Sequence, residues 1–261
     1  MESPCFFIDI DGVLYDGQKP IPGGPAAIDF LRRKASPFLL VTNTTRSSVD
    51  SVESKLRRLG YAIPRELIYT APMATLEYLQ AKWGQARLFM IADPSIDAQF
   101  QAAGHYLTRR EEPVDAVVIG TSRWPSFGDV DAAWRLIESG AEPIAMNRDL
   151  FFPDGGVKRV GAGAVVAALE AVVQRPATVI GKPNPNLFDL ALAHAGFTRE
   201  ATIMIGDTPE VDVAGARAAG LRSILVRSGN HSVGEDTGGA DWVIDSIDEL
   251  PVWYARECSG A

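Results

Sequence analysis

Short apolar runs separated by segments of helical period recur along the chain, and that alternation fits few architectures: parallel strands joined by crossover helices. The first stretch reads as a strand CFFIDI at about 5–10, a turn-rich segment ending in IPGGP, a helix AAIDFLRRKA, and a second strand FLLVTN at 38–43. A helix over about 46–59 follows and closes at Gly60. The pattern returns with TVIG at 178–181, a helix from Pro185 to Ala195, TIMIGD at 202–207, a helix to Ala219, and SILVRS. These pieces are expected to share one sheet with the first two strands. RLFMIA from 87, VDAVVIGT from 114 and EPIAMN from 142 form a separate set, followed by a Gly/Ala-rich helix over 161–173. The expected class is α/β, with one domain from residues 1–71 and 178–261 and a second inserted at 72–177.

The chain's 261 residues, 46% apolar and 22% charged, suit a globular protein with a sizeable core. No apolar run approaches the roughly 20 residues that span a bilayer. The start, MESPCFFIDID, turns acidic where a signal peptide would stay apolar, so a cytoplasmic protein without a membrane partner is expected. With 33 acidic against 25 basic residues the net charge is -8, which argues against a nucleic-acid partner. Cys5 and Cys258 lie far apart and outside any CxxC spacing, so free thiols are expected. His105, His194 and His231 are too scattered for zinc. A GxxxxGK[ST] loop is absent, and VGAGAVVAALEA lacks the third glycine of a dinucleotide motif and reads as following a loop. SGNHSVGEDTGGAD reads as a surface loop that borders a site without joining it.

Four segments carry chemistry, each at the end of an apolar run. Asp9 and Asp11, followed by Gly12, end the first. Paired carboxylates repel in a sheet, so a cation or phosphate ligand is one reading and a solvated pair of turn acids the other. Thr42 and Asn43 end the second, as anion-binding groups at a helix start or as ordinary caps. In GKPNPN, Lys182 precedes a helix capped by Asn184 with Pro185 in its first turn. That lysine either reaches a ligand at the strand ends or is a solvated charge. GDTPEVD places Asp207 at a strand end and Asp212 five residues on. Their oxygens suit Mg²⁺, whereas Thr208 and Glu210 are explained by starting a helix and favouring its dipole.

In that order, DIDGVLYDG, VTNTTRSS, GKPNP and GDTPEVDVAGARAAG make the sequence resemble the haloacid dehalogenase (HAD) superfamily. More narrowly it is similar to the subclass IIA, NagD or 4-nitrophenylphosphatase-like phosphatases. The resemblance implies a Rossmann-like parallel-sheet HAD core with a large inserted α/β cap that selects substrate. It implies a Mg²⁺-dependent phosphomonoester hydrolase acting on a small phosphorylated metabolite. Asp9 would be the nucleophile that forms an aspartyl-phosphate, and Asp11 the general acid and base. The metal would be held by Asp9, Asp207 and the Asp11 backbone carbonyl, with Asp212 in support. Thr42, Asn43 and Lys182 would bind the phosphoryl oxygens. Asp11 argues against dehalogenation, since halide-displacing members lack a second acid at that spacing. The pattern departs from the branch's usual wording at TNTT and at GDTPEVD without losing a named group.

Substrate choice is expected in the cap. AMNRDLFFPDGG, with Asn147, Arg148 and Asp149, resembles the branch's cap loop near the site and is otherwise a polar turn. Arg46, and Arg123 with Trp124, are further candidates for substrate contact, set against solvated arginines and a packed tryptophan. Relatives pair through the cap, which implies a homodimer. Three other readings keep the same groups: a phosphoacceptor signalling module, which needs about half this length, a phospholigand-binding protein without turnover, and a phosphotransferase.

Overall fold

Phe6 and Phe7 are neighbours on one strand and so face opposite sides of its sheet. Phe6 meets Trp253 edge-on at 6.1 Å between ring centroids, while Phe7 stacks on Phe197 at 5.9 Å and tilts against Phe188 at 6.4 Å. Helix Leu250–Cys258 therefore covers one face and helix Pro185–Ala195 the other. Double cover explains why these strands are continuous apolar runs rather than alternating ones. Phe6 to Ile8, Leu39 to Val41, Ile203 to Ile205 and Ile224 to Val226 are all buried.

The computed structural model describes residues 3–122, 125–154, 157–231 and 233–258. The chain forms two compact units: Met1–Thr42, Val49–Tyr69 and Lys182–Ala261 in the first, Asn43–Ser48 and Thr70–Gly181 in the second.

A six-stranded sheet runs through the first unit in the order Trp242–Ile244, Arg222–Val226, Thr202–Gly206, Cys5–Ile8, Phe38–Thr42, Ile68–Thr70. Cys5–Ile8 pairs in parallel with both neighbours, Ile8 lying opposite Ile205 on one side and Leu40 on the other. The chain begins at the centre, builds to one edge, then returns to the other side of its first strand and builds to the opposite edge. Strand order reverses between Cys5–Ile8 and Thr202–Gly206, and sheets of this kind bind ligands past the carboxyl ends at that point. Asp9 and Asp207 are the residues that directly follow those two strands.

The second unit is built on a five-stranded parallel sheet in the order Thr178–Val179, Glu142–Ala145, Ala116–Ile119, Arg87–Ile91, Tyr106–Thr108. Phe89, Ile91, Val117 and Ile119 pack against Leu136 and Ile137 of helix Phe127–Glu138 and Val166 and Leu169 of helix Ala162–Val173. Ser126 starts the first of these helices with a reciprocal cap, its backbone N–H donating to Asp129 at 2.7 Å and its Oγ accepting from the Asp129 N–H at 3.1 Å.

The structure differs from the sequence expectations in four places. The TVIG run, expected in the first sheet, contributes Thr178–Val179 to the edge of the second, opposite Ile144 and Ala145. A two-residue edge strand carries no pattern that names its partner. Asn43–Ser48, directly after a strand of the first unit, cluster with the second. The helix expected from about 46 begins at Val49. Helix Ala162–Val173 follows not a loop but the strand Val157–Val160, paired antiparallel with Phe151–Asp154. An antiparallel hairpin still does not provide the parallel strand that a dinucleotide motif requires. Among the described residues no helix is long and apolar enough to cross a membrane.

Candidate active site

Lys182 is almost fully buried, and its ammonium donates to Asp212 Oδ1 at 2.6 Å, Asp9 Oδ1 at 2.8 Å and the Val41 carbonyl at 3.3 Å. A buried ammonium needs such partners. Its position follows from the local sequence. Asn184 caps the next helix by accepting from the Asn186 N–H at 3.1 Å, and Pro185 occupies the first turn, so the chain turns directly after Lys182. Thr42, also buried, ends the adjacent strand one residue beyond Val41.

Asp207 is fixed on both oxygens. Oδ1 accepts from the Thr208 hydroxyl at 2.9 Å, and Oδ2 accepts from the Asn230 N–H at 2.7 Å and its side-chain amide at 2.9 Å. Thr208 thus serves Asp207 rather than capping the following helix, in which it makes no cap bond. That segment, Pro209–Val213, is a single wide π-turn, a form often found at functional sites. It carries Asp212 back so that its Oδ2 accepts from the Asp207 and Thr208 N–H groups at 3.2 and 3.1 Å.

Two glycines permit these approaches. A Cβ on Gly206 would lie 2.2 Å from the Asp212 Cβ, and one on Gly12 would lie 2.0 Å from Asp207 Oδ2. Gly12 also has φ +78°, which L side chains rarely adopt.

Asp9, Asp207 and Asp212 are 8%, 1% and 1% exposed, and each offers an oxygen within 4.8 Å of the others. Burial holds the Asp9 carboxyl well above the ordinary range. The Lys182 ammonium opposes this, while Asp212 and Asp207 add to it. Burial also raises Asp207, reinforced by the Asp212 charge and opposed by Asn230, Thr208 and Lys182. For Lys182 burial acts to lower the pKa, but Asp212 and Asp9 outweigh it and the ammonium is held above its usual value. Three carboxylates therefore face one ammonium. Hard oxygen donors with an excess of negative charge fit a divalent cation such as Mg²⁺.

Asp11 lies outside that acid cluster. It is exposed, and its Oδ2 accepts from the Tyr15 hydroxyl at 3.3 Å. Surrounding protein raises its pKa, offset by the Lys55 ammonium and by Tyr15. Burial and the charges of Asp11 and Asp9 push the Tyr15 phenol far above its ordinary value, so it stays a donor.

The remaining candidates belong to the second unit. Asn43 donates to Asp149 at 3.1 Å and Asn147 donates to the Asn43 carbonyl at 2.9 Å. The Arg46 guanidinium lies 4.4 Å from the Phe152 ring centre, with Asp93 4.0 Å away. Arg148 is exposed and paired with Glu170 at 2.6 Å. Phe152 also lines a cavity of about 360 Å³ with Lys158 and Arg159. Arg123 and Trp124 lie outside the described residues.

Asn230, Tyr15 and Lys55 were not singled out from the sequence. Asn230 lies in the loop expected to border the site without joining it, and it makes two of the bonds that fix Asp207. Its signal was an amide side chain directly after Gly229, four residues past the end of the strand Arg222–Val226. Tyr15 follows Asp11 by four residues in DIDGVLYDG, where the turn at Gly12 was the available clue.

Residues 6–106 match the family described as haloacid dehalogenase-like hydrolase, and residues 179–250 one described as HAD-hydrolase-like. The chain is 31% identical to the dihydroxyacetone phosphatase of Corynebacterium glutamicum, over 86% of its own length and 81% of that protein. It is 33% identical to the D-glycerol 3-phosphate phosphatase of Mycobacterium tuberculosis, over 88% of its own length and 65% of that protein, just under two thirds of it. The solved p-nitrophenyl phosphatase from Archaeoglobus fulgidus superposes with a TM-score of 0.90 at 25% identity, covering 96% of this chain and 98% of that one. NagD from Escherichia coli K-12 gives 0.86 at 26% identity, covering 95% and 98%.

Proposed function

We propose, on the premise that this chain belongs to the haloacid dehalogenase-like hydrolases as a NagD-like phosphatase, that it hydrolyses small sugar or polyol phosphate monoesters through an aspartyl-phosphate at Asp9. The observation that carries this reading is the buried Asp9, Lys182, Asp207 and Asp212 cluster at the point where strand order reverses. The substrate class is supported by relatives named for dihydroxyacetone, D-glycerol 3-phosphate and acid sugar phosphatase activity.

In this reading Asp9 and Asp207 would hold Mg²⁺, with Asp212 in support and the Asp11 carbonyl as a further oxygen. The cation, when bound, offsets the charge between an attacking carboxylate and a phosphate dianion. Lys182 and Thr42 hold the phosphoryl oxygens, joined by Asn43, so that an Asp9 oxygen attacks in line with the departing ester oxygen. As the phosphorus–oxygen bond of the ester breaks, Asp11 donates a proton to the leaving alkoxide. Asp11 then accepts a proton from the water that attacks phosphorus, and Asp9 is released with inorganic phosphate. The second unit, Asn43–Ser48 with Thr70–Gly181, selects the leaving group in this reading, with Arg46, Asn147 and Arg148 as candidate contacts.

The test is phosphate release from a panel of small phosphomonoesters, including 4-nitrophenyl phosphate, for wild type and Asp9→Asn, with Mg²⁺ and with chelator. Continuous turnover that needs both Mg²⁺ and Asp9 is expected. A single phosphorylation event without continued release would favour a phosphoacceptor, and product transfer to an alcohol in place of phosphate release would favour a transferase.

A further inference from the structure

We propose that Tyr15, held in place by Lys55, is the positioning residue that aims Asp11 for proton transfer. Asp11 is exposed and stands apart from the buried acids, so that cluster does not fix its rotamer. Its carboxylate bond is to the Tyr15 hydroxyl, 3.3 Å from Oδ2. The backbone brings the two together. Asp11 and Tyr15 form an isolated bridge, and the Gly12 N–H donates to the Tyr15 carbonyl at 2.8 Å. Tyr15 is itself only 5% exposed, between buried Leu14 and the turn, so its ring has little freedom. Lys55, on helix Val49–Arg58, sets its ammonium 3.5 Å from the centre of that ring and also attracts the Asp11 carboxylate. With Oδ2 engaged by Tyr15, Oδ1 is the oxygen that carries the transferred proton.

This rests on Asp11 being the acid of the proposed reaction. The Asp9 oxygen bonds to phosphorus, the ester phosphorus–oxygen bond breaks, and the Asp11 proton goes to the departing oxygen. An alkoxide needs that proton and a dinitrophenolate does not, so a misaimed Asp11 costs rate only with poor leaving groups.

The experiment compares kcat/KM, which reports steps up to departure of the leaving group, for an alkyl phosphate the enzyme turns over and for 2,4-dinitrophenyl phosphate. Tyr15→Phe keeps the ring on which Lys55 packs, and Lys55→Met keeps the aliphatic stem. Both are expected to lose about 10-fold or more on the alkyl ester and less than about 3-fold on the dinitrophenyl ester, with Lys55→Arg recovering the loss. An equal loss on both esters, or no loss on either, overturns the proposal. Asp11→Asn is run beside them and is expected to show a larger loss confined to the alkyl ester. If its loss is uniform, Asp11 is not the acid and the underlying reading fails. If Asp11→Asn discriminates and Tyr15→Phe does not, only the positioning role fails.

Discussion

Lys182 neutralises two carboxylates at once, and its removal would leave Asp9 and Asp212 facing each other in a site nearly closed to water. Breaking a buried pair from one side costs about 3–5 kcal/mol, because the remaining charge has no partner. Urea unfolding of metal-free Lys182→Met is therefore expected to show a loss of about that size, together with loss of phosphate release. A stability change below about 1 kcal/mol would mean that water reaches the acids and that Lys182 is not their main counter-ion. Asn230 acts on the same cluster from outside. Its two bonds to Asp207 Oδ2 orient a proposed ligand, and partners of that kind typically contribute 10–100-fold to metal affinity. Asn230→Ala removes the side-chain bond and keeps the backbone one, so calorimetric titration with Mg²⁺ is expected to show weakening of about 10-fold, against unchanged affinity if the backbone N–H of residue 230 and the Thr208 hydroxyl suffice to hold Asp207.

At the level of elements, the site depends on how closely two segments approach one backbone position. Gly206 ends the strand Thr202–Gly206, and the wide turn Pro209–Val213 brings the Asp212 Cβ to where a side chain would begin. Gly206→Ala must therefore push Asp212 away, at about 1–3 kcal/mol of packing strain, and weaken Mg²⁺ binding with it. A variant with wild-type stability and affinity would show that this turn yields freely.

The same elements explain what the sequence disclosed. Asp9 and Asp207 were legible because each follows an unbroken apolar run, and burial on both faces of a parallel sheet produces such runs. The Asn184 and Pro185 helix start left Lys182 open between a ligand-reaching group and a solvated charge, and it was the GKPNP motif of the family resemblance that singled it out. The edge strand Thr178–Val179 was assigned to the other sheet because two residues carry no pairing information. Tyr15 and Asn230 stayed hidden for a related reason. Their bonds to Asp11 and Asp207 arise from a tight turn and from a partner 23 positions away, and neither leaves a periodic trace.

Over the whole molecule, the buried acids make stability depend on pH, and the proposed metal would alter that dependence. Burial raises the Asp9 and Asp207 carboxyls above the values they have in the unfolded chain. As pH climbs from the ordinary aspartate range to those raised values, the unfolded state has already released protons that the folded state keeps. These two groups thus subtract stability with rising pH. A bound cation favours their charged forms and cancels that loss. The melting temperature gained on adding Mg²⁺ to chelated protein is expected to be small near about pH 4 and to grow toward about pH 8. A gain independent of pH would place the ion away from these carboxylates.

Catalysis is proposed to pass through a phosphoryl group bonded to Asp9. Asp11→Asn, supplied with a dinitrophenyl ester, should still form that bond but lack the base that hydrolyses it. Acid quenching followed by peptide mass spectrometry is predicted to find one added phosphoryl group on the peptide containing Asp9, and none in the Asp9→Asn, Asp11→Asn double variant. A phosphoryl group on a different residue, or wild-type turnover with no covalent species in either protein, would contradict it.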